Sequence, residues 1–314
     1  MTSIVCLDRH SIEARPFTFN FPHQLTEHEG CTPDAVAGLI EGHEIVISNK
    51  MPINAADMDA NPQLKMIAIA ATGYNHIDVA AARERGIVVS NIRAYGNDTV
   101  AEHAFMLMIA LMRQLPAYQR DVAAGLWQKA NTFCHFGAPM RDLSGKTLAI
   151  FGKGGIGQAL AKRALAFDMN VIYAEHKQAS GCRTGYVSFQ EALTTADVIS
   201  LHCPLTTETE NMIDETALQQ MKPGAILINV SRGGLVDELA LVAALKYGQL
   251  GGAGVDVLTE EPPVNGNPLL KAYLPHLIVT PHMAWGSVEA RNRLFDMLCD
   301  NINQFMAGTP ISVV

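Results

Sequence analysis

Thr147-Leu-Ala-Ile-Phe151 runs directly into Gly152-Lys-Gly154-Gly155-Ile156-Gly157, and a helical pattern spans Ile156–Phe167 behind it. Glycines spaced G-x-G-x-x-G mark no more than a turn when they stand alone. Between an apolar strand and a helix they meet the context that a dinucleotide-binding loop requires. Gly152 would allow the tight turn, Gly154 the close approach of a pyrophosphate, and Gly157 the packing of helix on strand. The start of the helix, at Gly155 and Ile156, would offer backbone N–H groups and a partial positive charge to the phosphates.

The following apolar run, Val171-Ile-Tyr-Ala174, ends at Glu175, where this fold places the acid that holds the ribose hydroxyls. A carboxylate there repels a 2′-phosphate and favours NAD over NADP, while Lys177 and Arg183 nearby soften that preference. Further strands are expected at Val198–Leu201, Ala225–Val230, Gly252–Val257 and Leu277–Thr280, with helices at Glu215–Met221 and Glu238–Tyr247. Near-continuous apolar strands alternating with helices indicate a parallel sheet covered on both faces.

An earlier series reads the same way, with strands at Ser3–Leu7, Glu44–Ser48, Met66–Ala70 and Ile87–Ser90. Between the two series, Thr99–Gln114 reads as a helix with almost no polar face beyond Glu102 and His103. Such a helix is buried on most sides and suits a domain or subunit junction. Ser287–Met306 is helical again and stops at Gly308 and Pro310. Two α/β domains are the simplest reading of 314 residues of which 48% are hydrophobic.

The formal net charge of -8, with no long run of like charges, argues against nucleic acid or an anionic membrane as partner. The longest apolar run, Ala104–Met112, is about half of the ~20 residues that span a bilayer. No secretory signal is visible at the N-terminus. Six cysteines stand singly, without the paired spacing of a zinc site or the density of a disulfide framework. A cytoplasmic protein without a bound metal is therefore expected.

Three later segments carry polar residues at strand ends: Val230-Ser231-Arg232-Gly-Gly, Val255-Asp256-Val257 leading to Glu260-Glu261-Pro-Pro, and Thr280-Pro-His282. In an open parallel sheet, ligands bind beyond these carboxyl ends. Taken singly, Arg232 reads as a surface cation, Glu261 as a solvated carboxylate and His282 as a satisfied polar residue. Together they meet the needs of reducing a 2-keto acid. Arginine supplies a planar, permanently charged fork for carboxylate and carbonyl. Histidine serves as acid in one direction and base in the other, and a carboxylate on its second nitrogen fixes the ring.

These motifs come in the order seen in the D-2-hydroxyacid dehydrogenases, which the chain resembles over nearly its whole length. The resemblance rests on Gly73-Tyr-Asn-His-Ile-Asp78, Val100-Ala-Glu-His103, Leu143-Ser-Gly-Lys-Thr147 and the glycine loop. It continues through Leu201-His-Cys-Pro-Leu-Thr206, Met221-Lys-Pro-Gly-Ala225, Asn229 to Asp237, Gly254 to Leu258 with Glu261-Pro262, and Pro281-His282. It implies that Arg232 anchors the substrate, Glu261 partners the histidine and His282 is the acid/base. Ala71, Thr72, Gly73 and Tyr74 resemble the loop whose backbone N–H groups hold the substrate carboxylate. Val230, Ser231, Asp256, Cys203 and Pro204 match positions around the cofactor.

The resemblance further implies two Rossmann-like doubly wound parallel-sheet domains. An NAD-binding domain at 100–285 is inserted into a flavodoxin-like substrate domain at 1–99 and 286–314, with ligands in the cleft. It also implies a homodimer, formed through the apolar helix from Thr99 and the arm from Leu126-Trp127 to Met140. Phe133 to Arg141 and His282-Met-Ala-Trp285 look most like glycerate dehydrogenases (hydroxypyruvate reductases). Trp285 reads either as a substrate contact or as simple packing. A broader reductase of glyoxylate or pyruvate is the alternative enzyme. A NAD-sensing, non-catalytic interaction protein on the same fold is the alternative from another class.

Overall fold

The structure is a computed structural model that describes residues 1–12 and 15–314. In chain order its elements are β1 (Thr2–Cys6), β2 (His23–Glu27), α1 (Val36–Leu39), β3 (Ile45–Ser48), α2 (Ala55–Asp59), β4 (Met66–Ile69), α3 (Val79–Glu84) and β5 (Val88–Ser90). Then come α4 (Asn97–Met112), α5 (Leu115–Ala123), β6 (Thr147–Phe151), α6 (Gly155–Leu165), β7 (Asn170–Ala174), α7 (Phe189–Thr195), β8 (Val198–Leu201) and α8 (Glu215–Gln220). The chain ends with β9 (Ala225–Asn229), α9 (Glu238–Lys246), β10 (Leu250–Val255), α10 (Pro268–Lys271), β11 (Leu277–Val279) and α11 (Val288–Met306). Among the described residues no helix is long and apolar enough to cross a membrane.

The chain divides into two compact units, one of Met1–Gly96 with Gly286–Val314 and one of Asn97–Trp285. The first holds a parallel sheet ordered β2-β1-β3-β4-β5, the flavodoxin-like arrangement. Its second strand is absent from the sequence reading. His23-Gln-Leu-Thr-Glu27 sits at the sheet edge with none of its residues fully buried, so it carries no apolar run to announce it.

The second unit holds a parallel sheet ordered β11-β10-β9-β8-β6-β7. A parallel bridge from Ala174 to Val187 continues the pairing beyond β7. Counting Val187 as the remnant of a strand, the order becomes that of the dinucleotide-binding fold, with its switch point between β6 and β8. Alternation along β6 separates the two faces. Ala149 and Phe151 pack with Leu193, Leu218 and Leu241 on one side, while Leu148 and Ile150 pack with Leu107, Leu111 and Leu160 on the other. Each of these side chains is at most 2% exposed, and burying one of the leucines, Ile150 or Phe151 stabilises the fold by roughly 1.5–3 kcal/mol.

Helix α4 is the apolar helix of the sequence reading, shifted toward the N-terminus. It packs on α6, β9 and β10, with Ala101, Ala104, Leu107, Met108 and Leu111 all buried. It stops at Met112 because Gln114 adopts a left-handed φ of 54° and starts α5, a helix not expected from the sequence. Strand β10 likewise ends two residues earlier than expected, at Val255, freeing Asp256 to serve the loops beyond it.

Candidate active site

The glycine loop lies at the switch point. Gly152 has φ +108°, and a Cβ there would lie 2.5 Å from the carbonyl oxygen of His202, at the end of β8. A Cβ on Gly157 would lie 2.1 Å from the carbonyl oxygen of Gly152. The strand-to-helix turn therefore closes only with glycine at both positions. Gly155 packs closely on the side chain of Asn97, whereas a Cβ on Gly154 would meet nothing within 4 Å. Gly154 is also the N-cap of α6 and contributes no side-chain oxygen, so no cap side chain covers the first-turn amides at Gly155, Ile156 and Gly157. Open space above Gly154 and an uncapped helix start fit a pyrophosphate.

Glu175, at the end of β7, already has a partner within the protein. It is 4% exposed, and both carboxylate oxygens are occupied: Arg183 donates from Nε (2.7 Å) and its backbone N (2.9 Å) to Oε1, and from Nη2 (2.7 Å) to Oε2. Those hydrogen bonds hold its carboxyl below the usual carboxylate range against the opposing effect of burial. Instead of presenting a bare acid to a ribose, the end of β7 presents an internal ion pair.

The loops after β9, β10 and β11 are tied together through the main chain. Gly233 lies so close to Leu258 that a Cβ would sit 2.0 Å from its carbonyl carbon, which brings the Arg232 turn against the segment leading to Glu261. The Glu261 carboxylate accepts the Leu258 N–H on Oε1 (2.8 Å) and meets His282 Nδ1 on Oε2 (2.6 Å). A proton on Nδ1 satisfies that contact and leaves Nε2 for exchange with a ligand. His282 itself has φ +51°, a left-handed conformation. Its N–H donates to the Asp256 carbonyl at 2.7 Å. Arg232 is exposed, and its Nη1 donates to the carbonyl of Ser231 at 2.7 Å.

Asp256, expected near the cofactor, is held tightly within the protein. It is 1% exposed, and its carboxylate accepts from the Thr280 hydroxyl (2.5 Å), the Met283 N–H (3.0 Å) and the Ala284 N–H (2.9 Å). It is the clamp on which the His282 turn is wound. Behind it stands His103 of α4, whose Nε2 lies 3.0 Å from Thr280 Oγ1 and 3.5 Å from Asp256 Oδ1. Because Thr280 gives its proton to Asp256, His103 donates through Nε2. Burial holds the His103 ring below the usual histidine range, and the Asp256 charge opposes this. His103 was not a candidate; a lone histidine in an otherwise apolar helix was the available signal.

The other candidates have the following surroundings, each within its own unit. The Ser231 hydroxyl donates to the Cys203 carbonyl at 2.7 Å, joining the loops after β8 and β9. Val230 is buried, Pro204 is exposed with its carbonyl accepting from Thr209 Oγ1 at 2.8 Å, and burial pushes the Cys203 thiol up to about 11. Trp285 packs against the core of the second unit, and its indole N–H donates to the His282 carbonyl at 3.0 Å. In the first unit, Thr72 Oγ1 donates to the Ile92 carbonyl and Asn91 Nδ2 to the Thr72 carbonyl, both at 2.7 Å. These bonds hold the 71–74 loop, where Ala71 is buried, Gly73 is half-buried and Tyr74 is 44% exposed. Among the described residues no cluster of His, Cys, Asp and Glu is arranged to hold a metal ion.

A parallel sheet with this loop at its switch point, and a glutamate-held histidine at the ends of neighbouring strands, belongs to the nicotinamide-dinucleotide oxidoreductases. Residues 105–284 match the model of the NAD binding domain of the D-isomer specific 2-hydroxyacid dehydrogenases, and the chain belongs to that family. It is 48% identical to a glycerate dehydrogenase of Methylorubrum extorquens, over 99% of this chain and 98% of that one. It is 38% identical to a hydroxypyruvate reductase of Blautia hydrogenotrophica, over 90% of this chain and 88% of that one. Among solved structures, an NADPH-dependent glyoxylate/hydroxypyruvate reductase of Sinorhizobium meliloti superposes with a TM-score of 0.83 at 29% identity, covering 100% of this chain and 98% of that one. The chain is thus a 2-hydroxyacid dehydrogenase that uses a nicotinamide dinucleotide and acts on a small hydroxy or keto acid.

Proposed function

We propose that the chain reduces hydroxypyruvate to D-glycerate with NADH, and catalyses the reverse reaction, with His282 as the acid/base. The observation that carries this reading is the 2.6 Å contact between His282 Nδ1 and a Glu261 carboxylate that is itself anchored by the Leu258 N–H. That geometry aims Nε2 as the proton donor and stabilises the imidazolium that precedes transfer. When bound, the dinucleotide supplies the hydride to C2. The proposed work of the chain is placement and electrostatics. Arg232 offers its fork to the carboxylate and carbonyl oxygens. Gly152, Gly154, Gly155, Ile156 and Gly157 cradle the pyrophosphate. The loops at Cys203-Pro204 and Val230-Ser231 border the cofactor, and backbone N–H groups of 71–74 take a substrate carboxylate.

Hydroxypyruvate is favoured over other 2-keto acids by the extent of similarity to the M. extorquens glycerate dehydrogenase. The test is a panel of hydroxypyruvate, glyoxylate and pyruvate, followed by the absorbance of the reduced nicotinamide. The highest kcat/KM is expected with hydroxypyruvate. A clear preference for either of the others would replace it with the broader reductase, and turnover of none would leave the non-catalytic reading.

We also infer a homodimer and a cytoplasmic location. Leu126, Trp127, Phe133, Phe136 and Met140 project from the arm with 40–92% exposure, which a second copy would cover. Sedimentation at a single monomer mass across concentrations would rule the dimer out. Six unpaired cysteines suit a reducing compartment.

A further inference from the structure

Helix α4 lies close against β10, and the glycines of the strand allow it. A Cβ on Gly252 would lie 3.0 Å from Leu111 Cδ2, and one on Gly254 would lie 3.0 Å from Leu107 Cβ. Alternate residues of a strand share a face, so the next position on this stripe is Asp256. Its N–H still pairs with the Asn229 carbonyl at 2.9 Å, beyond the last residue of β10. On α4 the next position of the facing stripe is His103, four residues before Leu107. Four residues of helix rise about 6 Å and two of strand about 6.6 Å, so the two stripes stay in step. The match brings an imidazole that is 13% exposed against a carboxylate that is 1% exposed.

We propose that His103 is a positioning residue for His282, acting through the Thr280 hydroxyl and the Asp256 carboxylate. The Thr280 hydroxyl has one proton, which goes to Asp256 Oδ1 at 2.5 Å. Its lone pair therefore takes the His103 Nε2–H at 3.0 Å, and that donor fixes the Thr280 rotamer. Thr280 is tied to the His282 turn through its main chain as well. Its N–H donates to the Val255 carbonyl at 2.9 Å, and its carbonyl lies 3.0 Å from the His282 N–H, which also meets the Asp256 carbonyl at 2.7 Å. Burial holds the His103 ring below the usual histidine range against the Asp256 charge, which favours the neutral, donating form. Without this donor the hydroxyl and carboxylate lose the contact that keeps them in one arrangement, and the left-handed turn at His282 gains freedom. The proposal rests on the reading of His282 as the acid/base.

The test compares His103→Leu and His103→Gln, each alone and combined with His282→Ala. Leucine suits an apolar helix and removes the donor, whereas the amide of glutamine reaches about as far as Nε2 and keeps it. Turnover is followed with NADH and whichever keto acid of the panel reacts fastest, and NADH affinity by nucleotide fluorescence. His103→Leu should lower kcat by ~10-fold, while the KM of the keto acid and the NADH affinity move by less than about threefold. His103→Gln should stay within about threefold of the unmodified protein. In the His282→Ala background, adding His103→Leu should change the residual rate by less than about twofold, because the residue that it positions is gone. Full kcat in His103→Leu would overturn the proposal, as would a glutamine variant as impaired as the leucine one. So would a fall in NADH affinity equal to that in kcat, or a ~10-fold loss that persists without His282, since either marks general loosening. Near-normal kcat in His282→Ala alone would overturn the acid/base reading, and this proposal with it. Loss of kcat in His282→Ala beside full activity in His103→Leu would overturn this proposal alone.

Discussion

Asp256→Asn isolates what holds His282, the proposed acid/base, in place. Asparagine matches aspartate in shape but keeps only one acceptor oxygen. The native carboxylate receives the Thr280 hydroxyl and the Met283 N–H on Oδ1, and the Ala284 N–H on Oδ2. If the amide oxygen takes the Oδ1 place, its NH2 faces the Ala284 N–H, and one charge-assisted bond worth about 1.5–3 kcal/mol is lost. The opposite rotation loses two. Leaving a buried N–H unmet adds about 1–3 kcal/mol, part of which the loop recovers by shifting. A net cost of about 3 kcal/mol is therefore expected, and it falls on the turn that carries His282. The assay is kcat with NADH and hydroxypyruvate, alongside NADH affinity by fluorescence and thermal melting by circular dichroism. If the turn loosens locally, kcat falls by ~100-fold, the rate equivalent of that cost, while NADH affinity moves by less than about threefold. If instead NADH affinity fell by as much as kcat, with the melting temperature unchanged, Asp256 would be a cofactor contact and the clamp would be wrong. Thr280→Val, which removes the hydroxyl that donates to Asp256 and accepts from His103 but leaves both main-chain bonds to the carboxylate, should fall between Asp256→Asn and the unmodified protein.

His282→Ala should lower kcat by at least ~1000-fold with NADH affinity nearly unchanged, the outcome that the proposed role in proton transfer requires; equal loss of NADH binding would make its role structural. Glu261→Gln should lower kcat by ~10–100-fold, because the neutral amide withdraws the charge-assisted bond at 2.6 Å and can turn its NH2 toward Nδ1; full activity would contradict the pairing. Gly157→Ala drives a Cβ to 2.1 Å from the Gly152 carbonyl oxygen, so melting should shift down by about 1–3 kcal/mol of stability and NADH binding should weaken together, and a tolerant variant would deny the close approach. Burial lowers His202 from 6.5 to about 4, so the unfolded chain takes up the proton first as pH falls. Stability should therefore decline as pH drops through the window from 6.5 to about 4, by up to about 3 kcal/mol from this residue, and the melting temperature of His202→Gln should depend less steeply on pH there.

Where a local conformation follows from the immediate neighbours in the chain, the sequence was enough. The glycine loop is such a case: strand, turn and helix are contiguous, and the close approach of Gly157 to Gly152 lies within one turn. The apolar strands of the second sheet were equally legible, because burial on both faces leaves no room for polar residues. Strand β2 was not, since an edge strand with a wet face needs no apolar pattern. Helix α5 was missed because its start depends on a left-handed Gln114, a residue type that rarely announces that conformation. For Glu175 the expectation came from its place at a strand end. The sequence also offered Arg183, eight residues later, as a nearby cation, but its bidentate contact with Glu175 required the folded turn to be seen.

The three residues of the candidate catalytic group sit on three different loops, so their types alone could not have brought them together. What holds them is mostly backbone. Gly233 seats the Arg232 turn against Leu258, Leu258 gives its N–H to Glu261, and Asp256 receives the main chain on both sides of Met283 as well as supplying its own carbonyl to His282. A main-chain scaffold of this kind tolerates change in the side chains around it while keeping the imidazole in register. The end of β7 is built the other way, on a single side-chain pair, Glu175 with Arg183. The His282 turn and the end of β7 therefore rest on separate physical supports within the same sheet. Arg183 variants should accordingly leave kcat with NADH as it was.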